Sequence, residues 1–259
     1  MIAALDSQKI PYRVIPCDIR KLKQVLKPPH TVPQMSWRGE LLTDSADIMK
    51  KIDAESSSSW KMYPTSQRAA IEKTEKWAGS TFNAYVLYFT WWVEYGFNVS
   101  LMPKLCEVMF PRFIPASLAA WLVPYFVDVG RLRGSVRKRV RGLLGEELVP
   151  PGRDPGPEEE PGMRRALIAA VTTLEEKLAR STDQLWLEQT AEPSAADFSV
   201  YGLIERLVGD EGDAQMGTAT PWLWEESGAS RLRDWHARMA GRFPLHFLGK
   251  ESECKVWVQ

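Results

Sequence analysis

The chain has 259 residues, of which 44% are hydrophobic, and its 33 Lys and Arg residues balance 33 Asp and Glu residues. This length and apolar content suffice for one large domain or two small ones with a buried core, and the absence of net charge disfavours a generic nucleic-acid-binding protein. The three Cys and three His residues show neither C-x-x-C nor metal-ligand spacing, which favours a reducing, intracellular compartment without a disulfide framework or metal site.

The first residues predict the end of a helix followed by a buried strand. The segment MIAALDSQKI has helical character, and residues 12–16, YRVIP, form a short apolar run typical of a strand. A weak helix is predicted over residues 19–26, where Asp18 is a candidate cap and Pro28-Pro29 ends the helix. Because Met1 to Leu5 are followed at once by Asp6 and Lys9, we expect no signal peptide.

The segment TVPQMSWRGELLTDSADIMKKI predicts a hairpin and then an amphipathic helix. Residues 34–37 and 40–43 form the two strands around a tight Arg38-Gly39 turn. The helix begins near Ser45, because the apolar residues of the next two turns fall on one face.

A serine-rich stretch separates this region from a long helical region. Residues 1–55 are predicted as one domain, residues 56–65 as a linker and residues 66–259 as a helical domain with an insert at 102–161. The predicted helices of the second domain are 66–97, 102–110, 117–144, 162–180, 194–209 and 229–242. No internal repeat is visible.

The order of these elements is that of the second half of a thioredoxin-like domain followed by helices, and it resembles the glutathione transferase superfamily. The resemblance rests on IPYRVIPCD, on TVPQMSWRGELLTDSADIMKKID and on EPSAADFSVYGLIERL. It implies an α/β plus all-α fold: a truncated thioredoxin-like N-terminal domain followed by a helical glutathione-transferase C-terminal domain. It also implies glutathione as cofactor and a small hydrophobic electrophile as second substrate.

Within the superfamily the chain is most similar to the membrane-associated type-two prostaglandin E synthase group. This narrower likeness rests on LDSQKIPYRVIPCD, on the long insert before PSAADFSVYG and on the closing segment RLRDWHARM. The basic run from Arg131 to Arg141 resembles a basic helix of that group. The likeness implies an isomerase-type activity.

The superfamily resemblance assigns a glutathione site to Val32, Pro33, Asp44 and Ser45. A cis proline at position 33 would turn the Val32 N–H and C=O outward, where they pair with the cysteinyl unit of glutathione. The alternative is that Val32-Pro33 merely begins an edge strand. At Asp44-Ser45, the amides of a helix start suit the γ-glutamyl carboxylate, and Asp44 could orient the ammonium group. The alternative there is an N-cap with Asp47 in a capping box, and both roles are compatible.

No catalytic residue is named, because the resemblance places the activating residue before the recorded start. In the superfamily a strand and a turn carrying Tyr, Ser or Cys precede the first helix, whereas here Met1 falls inside that helix. We therefore expect a chain that lacks its first strand and nucleophile. Two functions remain open: a glutathione-dependent transferase or isomerase, and a non-catalytic binding or organelle-membrane assembly protein of the same fold.

Three further patterns have a structural and a functional interpretation. Ser194 and Asp197 form an S-x-x-D capping box, which we assign to structure. Residues 113–141 combine an apolar stretch with a basic cluster, which is either a solvated helix face or a peripheral contact with an anionic membrane. The aromatic run Tyr88, Phe89, Trp91 and Trp92 either lines a substrate pocket or packs in the core.

A homodimer is compatible with the resemblance, although the insert at 102–161 could block the face through which members of the superfamily usually dimerise.

Overall fold

The structure, a computed structural model, describes residues 2–12, 26–28, 33–93, 118, 160–180, 185–209 and 219–244. In chain order the elements are α1 (Ile2–Ser7), β1 (Met35–Trp37), β2 (Glu40–Leu42), α2 (Ser45–Glu55), α3 (Arg68–Trp77), α4 (Asn83–Leu87), α5 (Glu160–Ala179), α6 (Ala195–Val208), α7 (Leu223–Ser227) and α8 (Ser230–Arg242). Two π-helical segments, Ala78–Phe82 and Tyr88–Trp92, flank α4. The predictions for residues 13–25, 94–117 and 119–159 lie outside the described residues.

The predicted hairpin is present and its turn has the geometry of a two-residue loop. β1 and β2 pair antiparallel, with Met35 opposite Leu42 and Trp37 opposite Glu40. Both turn residues have positive φ, 48° at Arg38 and 88° at Gly39. This combination matches the right-handed twist of the strands, and glycine meets it without steric cost.

Helix α2 packs its predicted apolar face inward and is connected to the following segment through an aspartate. Ile48, Met49 and Ile52 are buried. The backbone N–H of Met62 donates a short hydrogen bond to Oδ1 of Asp53, at the C-terminal part of α2. Met62 also accepts a 3.1 Å bond from the N–H of Ala195, the first residue of α6. The segment predicted as a linker therefore joins α2 to the helical part through specific backbone bonds.

The first long helix of the second region runs from Arg68 to Trp92 and widens twice into π-helical turns. Each widened segment contains a hydroxyl that bonds back to the preceding turn. Ser80 Oγ donates to the Lys76 carbonyl at 2.6 Å, and Thr90 Oγ1 donates to the Val86 carbonyl at 2.7 Å. Thr172 and Thr173 make the same kind of bond in the regular helix α5, so these bonds do not by themselves explain the widening.

Helix α6 lies at the centre of the helical part and packs against α1, α3, α4 and α8. Its N-terminus carries the predicted capping box of Ser194 and Asp197. Asp197 is fully buried and accepts bonds from Ser194 N at 2.9 Å, Ser194 Oγ at 2.7 Å, Leu187 N at 3.0 Å and Trp235 Nε1 at 2.8 Å. Burial raises the pKa of this carboxyl group, and the four hydrogen bonds oppose the shift. One aspartate thus ties the start of α6 to α8 and to the loop before it.

The prediction of membrane contact through residues 113–141 falls almost wholly outside the described residues, where Leu118 alone is described, as an exposed helical residue. Across the described ranges, no helix combines the length and the apolar character that crossing a bilayer requires.

Candidate functional site

The strand register brings the two halves of the predicted site to the same end of the hairpin. β1 pairs with β2 so that Met35 faces Leu42. Pro33 lies two residues before β1, and Asp44 lies two residues after β2, so the antiparallel pairing places both at the open end of the hairpin. Val32 lies outside the described residues.

The start of α2 presents polar groups to solvent. Asp44 is the N-cap, with the extended backbone that this position requires (φ −121°, ψ 140°). Its Oδ1 accepts from Ala46 N at 2.8 Å, and its carbonyl accepts from Ile48 N at 3.0 Å. Ser45 follows as the first helical residue, and both it and Asp44 are exposed. The predicted capping role of Asp44 is confirmed, and the Ser45 N–H and hydroxyl lie at the positive end of the helix.

A cluster around Glu55 holds the hairpin against α2 and so sets the orientation of the site. Trp37 Nε1 donates to Glu55 Oε2 at 2.7 Å, and Arg38 lies 3.0 Å from the same oxygen. Lys51 bridges Glu55, at 3.2 Å, and Glu40, at 2.8 Å. Hydrogen bonds from these partners hold the pKa of Glu55 below its usual range, that from Trp37 contributing most. These contacts join the tip of the hairpin to the last turn of α2.

Helix α3, which lies beside α2, carries a buried acidic group. Glu75 on α3 is buried and accepts a 2.8 Å bond from the Tyr63 hydroxyl. Burial raises the pKa of Glu75, the Tyr63 hydrogen bond and Lys50 oppose the shift, and the charge of Asp44 adds to it. Lys50 Nζ on α2 lies 3.6 Å from Glu72 Oε1 on α3, so the two helices are adjacent.

Two tyrosines of the described residues that could be considered as thiol activators are committed to carboxylates. Tyr12 donates to Asp6 at 2.9 Å, and Tyr63 donates to Glu75. Burial, together with these carboxylates, raises the pKa of both phenols well above the usual range. The three cysteines lie outside the described residues. Within the described ranges, no group of three or more His, Cys, Asp or Glu residues could hold a metal ion.

The structure favours the packing role for two residues of the aromatic run. Tyr88 and Phe89 are almost completely buried, with ring centroids 5.1 Å apart in an edge-to-face contact. Phe89 also meets Trp222 edge-on at 5.4 Å. These contacts belong to the helical core. The side chains of Trp91 and Trp92 lie outside the description.

Sequence reasoning missed the residues that anchor the site. Trp37 and Glu55 are 18 positions apart, and no periodic pattern relates a strand residue to the last turn of the next helix. The weak signal was an acidic residue at the end of α2, where the helix dipole alone would favour a basic one.

Comparison with solved structures shows a glutathione S-transferase-like fold. The beta-etherase LigF from Sphingobium sp. strain SYK-6 matches 92% of this chain and 88% of its own, with a TM-score of 0.53 and 15% sequence identity. A glutathione S-transferase from Rhodospirillum rubrum F11 matches 92% of this chain and 80% of its own, with a TM-score of 0.51 and 13% identity. Neither a protein-family model nor a curated protein sequence matches the chain.

These likenesses confirm the predicted glutathione-transferase-like fold. A small two-stranded sheet followed by packed helices fits the predicted combination of thioredoxin-like and helical parts. The domain boundaries and the type-two prostaglandin E synthase group remain predictions, as does the shortened N-terminus. Fold likeness by itself does not transfer an activity.

Proposed function

We propose that this chain binds glutathione at the end of the hairpin and serves a glutathione-transferase-type function. The observation that carries the proposal is that Pro33, just before β1, and Asp44, just after β2 at the start of α2, lie at the same end of the antiparallel hairpin. The glutathione-transferase-like fold of the solved neighbours supports it.

The proposed binding mode divides the tripeptide between two backbone surfaces. The γ-glutamyl carboxylate accepts from the N–H and hydroxyl of Ser45, where the helix dipole favours an anion. Asp44 is exposed and faces the γ-glutamyl ammonium group. The cysteinyl unit pairs with the backbone of Val32 ahead of Pro33, in the manner of an added strand.

Two substitutions at Ser45 separate the hydroxyl from the backbone N–H. Ser45→Ala removes the hydroxyl, and we expect it to weaken glutathione binding about three- to tenfold. Ser45→Pro removes the N–H as well, while the first helical position accepts proline and the extended Asp44 tolerates a following proline. We expect a further loss of about tenfold with the helix intact.

Isothermal titration with reduced glutathione measures these affinities, and circular dichroism checks the helix. Ser36→Ala is the matched control, because Ser36 is an exposed serine on the same hairpin but not at the helix start. Equal affinity of the wild type, S45A and S45P would contradict the proposed binding mode and leave Asp44-Ser45 with the capping role alone.

The second candidate function is glutathione binding without turnover. The observation in its favour is that the Tyr12 and Tyr63 hydroxyls serve Asp6 and Glu75 rather than a thiol. Conjugation of glutathione to an aryl halide separates the two functions: turnover would favour the transferase, and saturable glutathione binding without turnover would favour the second function.

The finer proposal is that the chain is similar in function to the type-two prostaglandin E synthase group, with isomerase chemistry on a small hydrophobic electrophile. It rests on the sequence segments LDSQKIPYRVIPCD and RLRDWHARM. Conversion of an endoperoxide substrate with glutathione present tests it, and absence of product in a chain that binds glutathione would reject this refinement alone.

A further inference from the structure

A second candidate site lies away from the hairpin, on the far part of the helical region. A cleft of about 1040 Å³ opens between the C-terminal end of α6, helix α7 and the exposed face of α8. On α8, Ala237 and Ala240 contribute small side chains to its wall, beside charged and polar ones. Cavities of this size accommodate drug-sized organic molecules. None of the residues in its wall belongs to the proposed glutathione site.

The wall of the cleft contains a buried carboxylate beside an imidazole nitrogen that makes no hydrogen bond. Glu205 is 4% exposed, and its Oε1 lies 3.2 Å from Nε2 of His236. The two groups are within ion-pair distance, and Nε2 is buried without a hydrogen-bond partner. A buried polar atom left in this way costs free energy unless a further group satisfies it. Both groups line the same cleft.

Aromatic rings fix the orientation of this imidazole. The ring centroid of His236 is 5.6 Å from that of Tyr201 and 6.0 Å from that of Trp224. Trp224 lines the cleft as well. An indole face beside a carboxylate is a favourable environment for an organic cation, through the ring quadrupole and the negative charge together.

The charges of the wall select the sign of the ligand. Glu205, Glu225 and Asp234 contribute three carboxylates, whereas Arg233 contributes one guanidinium group. The carboxylates outnumber the guanidinium group, which disfavours an anion and attracts an amine.

We propose that this cleft binds a primary organic amine with an aromatic or apolar body. The ammonium group donates to Glu205 Oε1 and to His236 Nε2, and the body packs against Trp224 and the small residues of α8. The proposal is independent of glutathione binding, because the two sites share no residue.

A matched pair of small molecules tests the proposal on the full chain. Tryptamine and tryptophol differ by an ammonium group against a hydroxyl group, so the difference in affinity reports the recognition of charge. We expect saturable binding of tryptamine by isothermal titration, at least tenfold tighter than that of tryptophol. Equal affinities, or no saturable binding of tryptamine at millimolar concentration, would overturn the proposal.

Two variants and a control locate the binding. Glu205→Gln should weaken tryptamine binding at least tenfold without affecting tryptophol. Ala237→Phe fills the cleft from an exposed helix position and should abolish binding, which keeps the test decisive if E205Q fails to fold. The control is Glu226→Gln, since Glu226 lies on α7 next to Glu225 but pairs with Arg164 instead of lining the cleft. Tryptamine affinity that is unchanged in A237F, or lost equally in E226Q, would contradict the assignment.

Discussion

Replacement of Asp197 by alanine is the most severe single test of how the helical part is held together. The carboxylate accepts three buried N–H groups, those of Leu187, Ser194 and the Trp235 indole, besides the Ser194 hydroxyl. The hydroxyl can rotate to another acceptor, whereas the three N–H groups cannot. A buried donor left without an acceptor costs about 1–3 kcal/mol.

Summed over these three donors, Asp197→Ala should lower the free energy of unfolding by about 3–9 kcal/mol, against a typical domain stability of about 5–15 kcal/mol. Asp197→Asn keeps one carbonyl oxygen for the Leu187 N–H and the Trp235 indole. The new amide NH₂ group faces the Ser194 N–H, which then lacks an acceptor. We therefore expect Asp197→Asn to lower the free energy of unfolding by a smaller amount, about 1–3 kcal/mol.

Urea unfolding followed by circular dichroism and by tryptophan fluorescence measures both losses. Asp234→Asn is the control, because Asp234 is exposed on α8 and surface substitutions usually change stability by less than about 0.5 kcal/mol. A loss below about 1 kcal/mol for D197A would refute the reasoning, since it would mean that the buried donors find other acceptors.

Two further predictions concern a buried carboxyl and two glycines. Because burial raises the pKa of Glu75 above its ordinary 4.5, the native state holds the proton longer than the unfolded state, so stability falls as pH rises from the ordinary value through the raised one. The Glu75→Gln side chain does not titrate and still accepts the hydrogen bond from Tyr63. The free energy of unfolding of this variant minus that of the wild type should therefore increase with pH over this window. If urea unfolding shows that this difference does not change with pH, the raised pKa of Glu75 is contradicted. Gly39→Ala places a side chain on a backbone with φ 88° and should destabilise the protein by about 1–2 kcal/mol. Gly202→Ala lies inside α6 with open space at the added carbon and should stabilise the protein by up to about 1 kcal/mol. Melting temperatures that shift in the same direction in both variants would contradict these predictions.

Features set by local chemistry were predictable from the sequence. The Arg38-Gly39 turn between two short apolar strands predicted the hairpin, because few residues tolerate positive φ. The capping pattern of Ser194 and Asp197 predicted the start of α6, since the side chains that satisfy the first amides are neighbours in sequence. For the same reason, Asp44 was recognisable as a helix cap.

Features set by tertiary contacts were not predictable. Asp197 also accepts from an indole 38 positions away, and no local pattern indicates that second role. The π-helical turns at Ala78–Phe82 and Tyr88–Trp92 were also not predicted, because the helical spacing of apolar residues does not distinguish a π-helical turn from an α-helical one. Helix α7 has five residues, which is too short for a periodic signal. The candidate site was predicted from the order of its elements, whereas its anchoring through Glu55 required the structure.

The most direct measurement of the central claim is an amide-resolved NMR titration with reduced glutathione. The account predicts saturable shifts of the backbone amides of Ser45 and Ala46, at the positive end of α2, with a common dissociation constant. The amides of α8 should not move, because that helix lies outside the proposed glutathione site. Saturable shifts that are confined to other parts of the chain, or no shifts at all, would contradict glutathione binding at the start of α2.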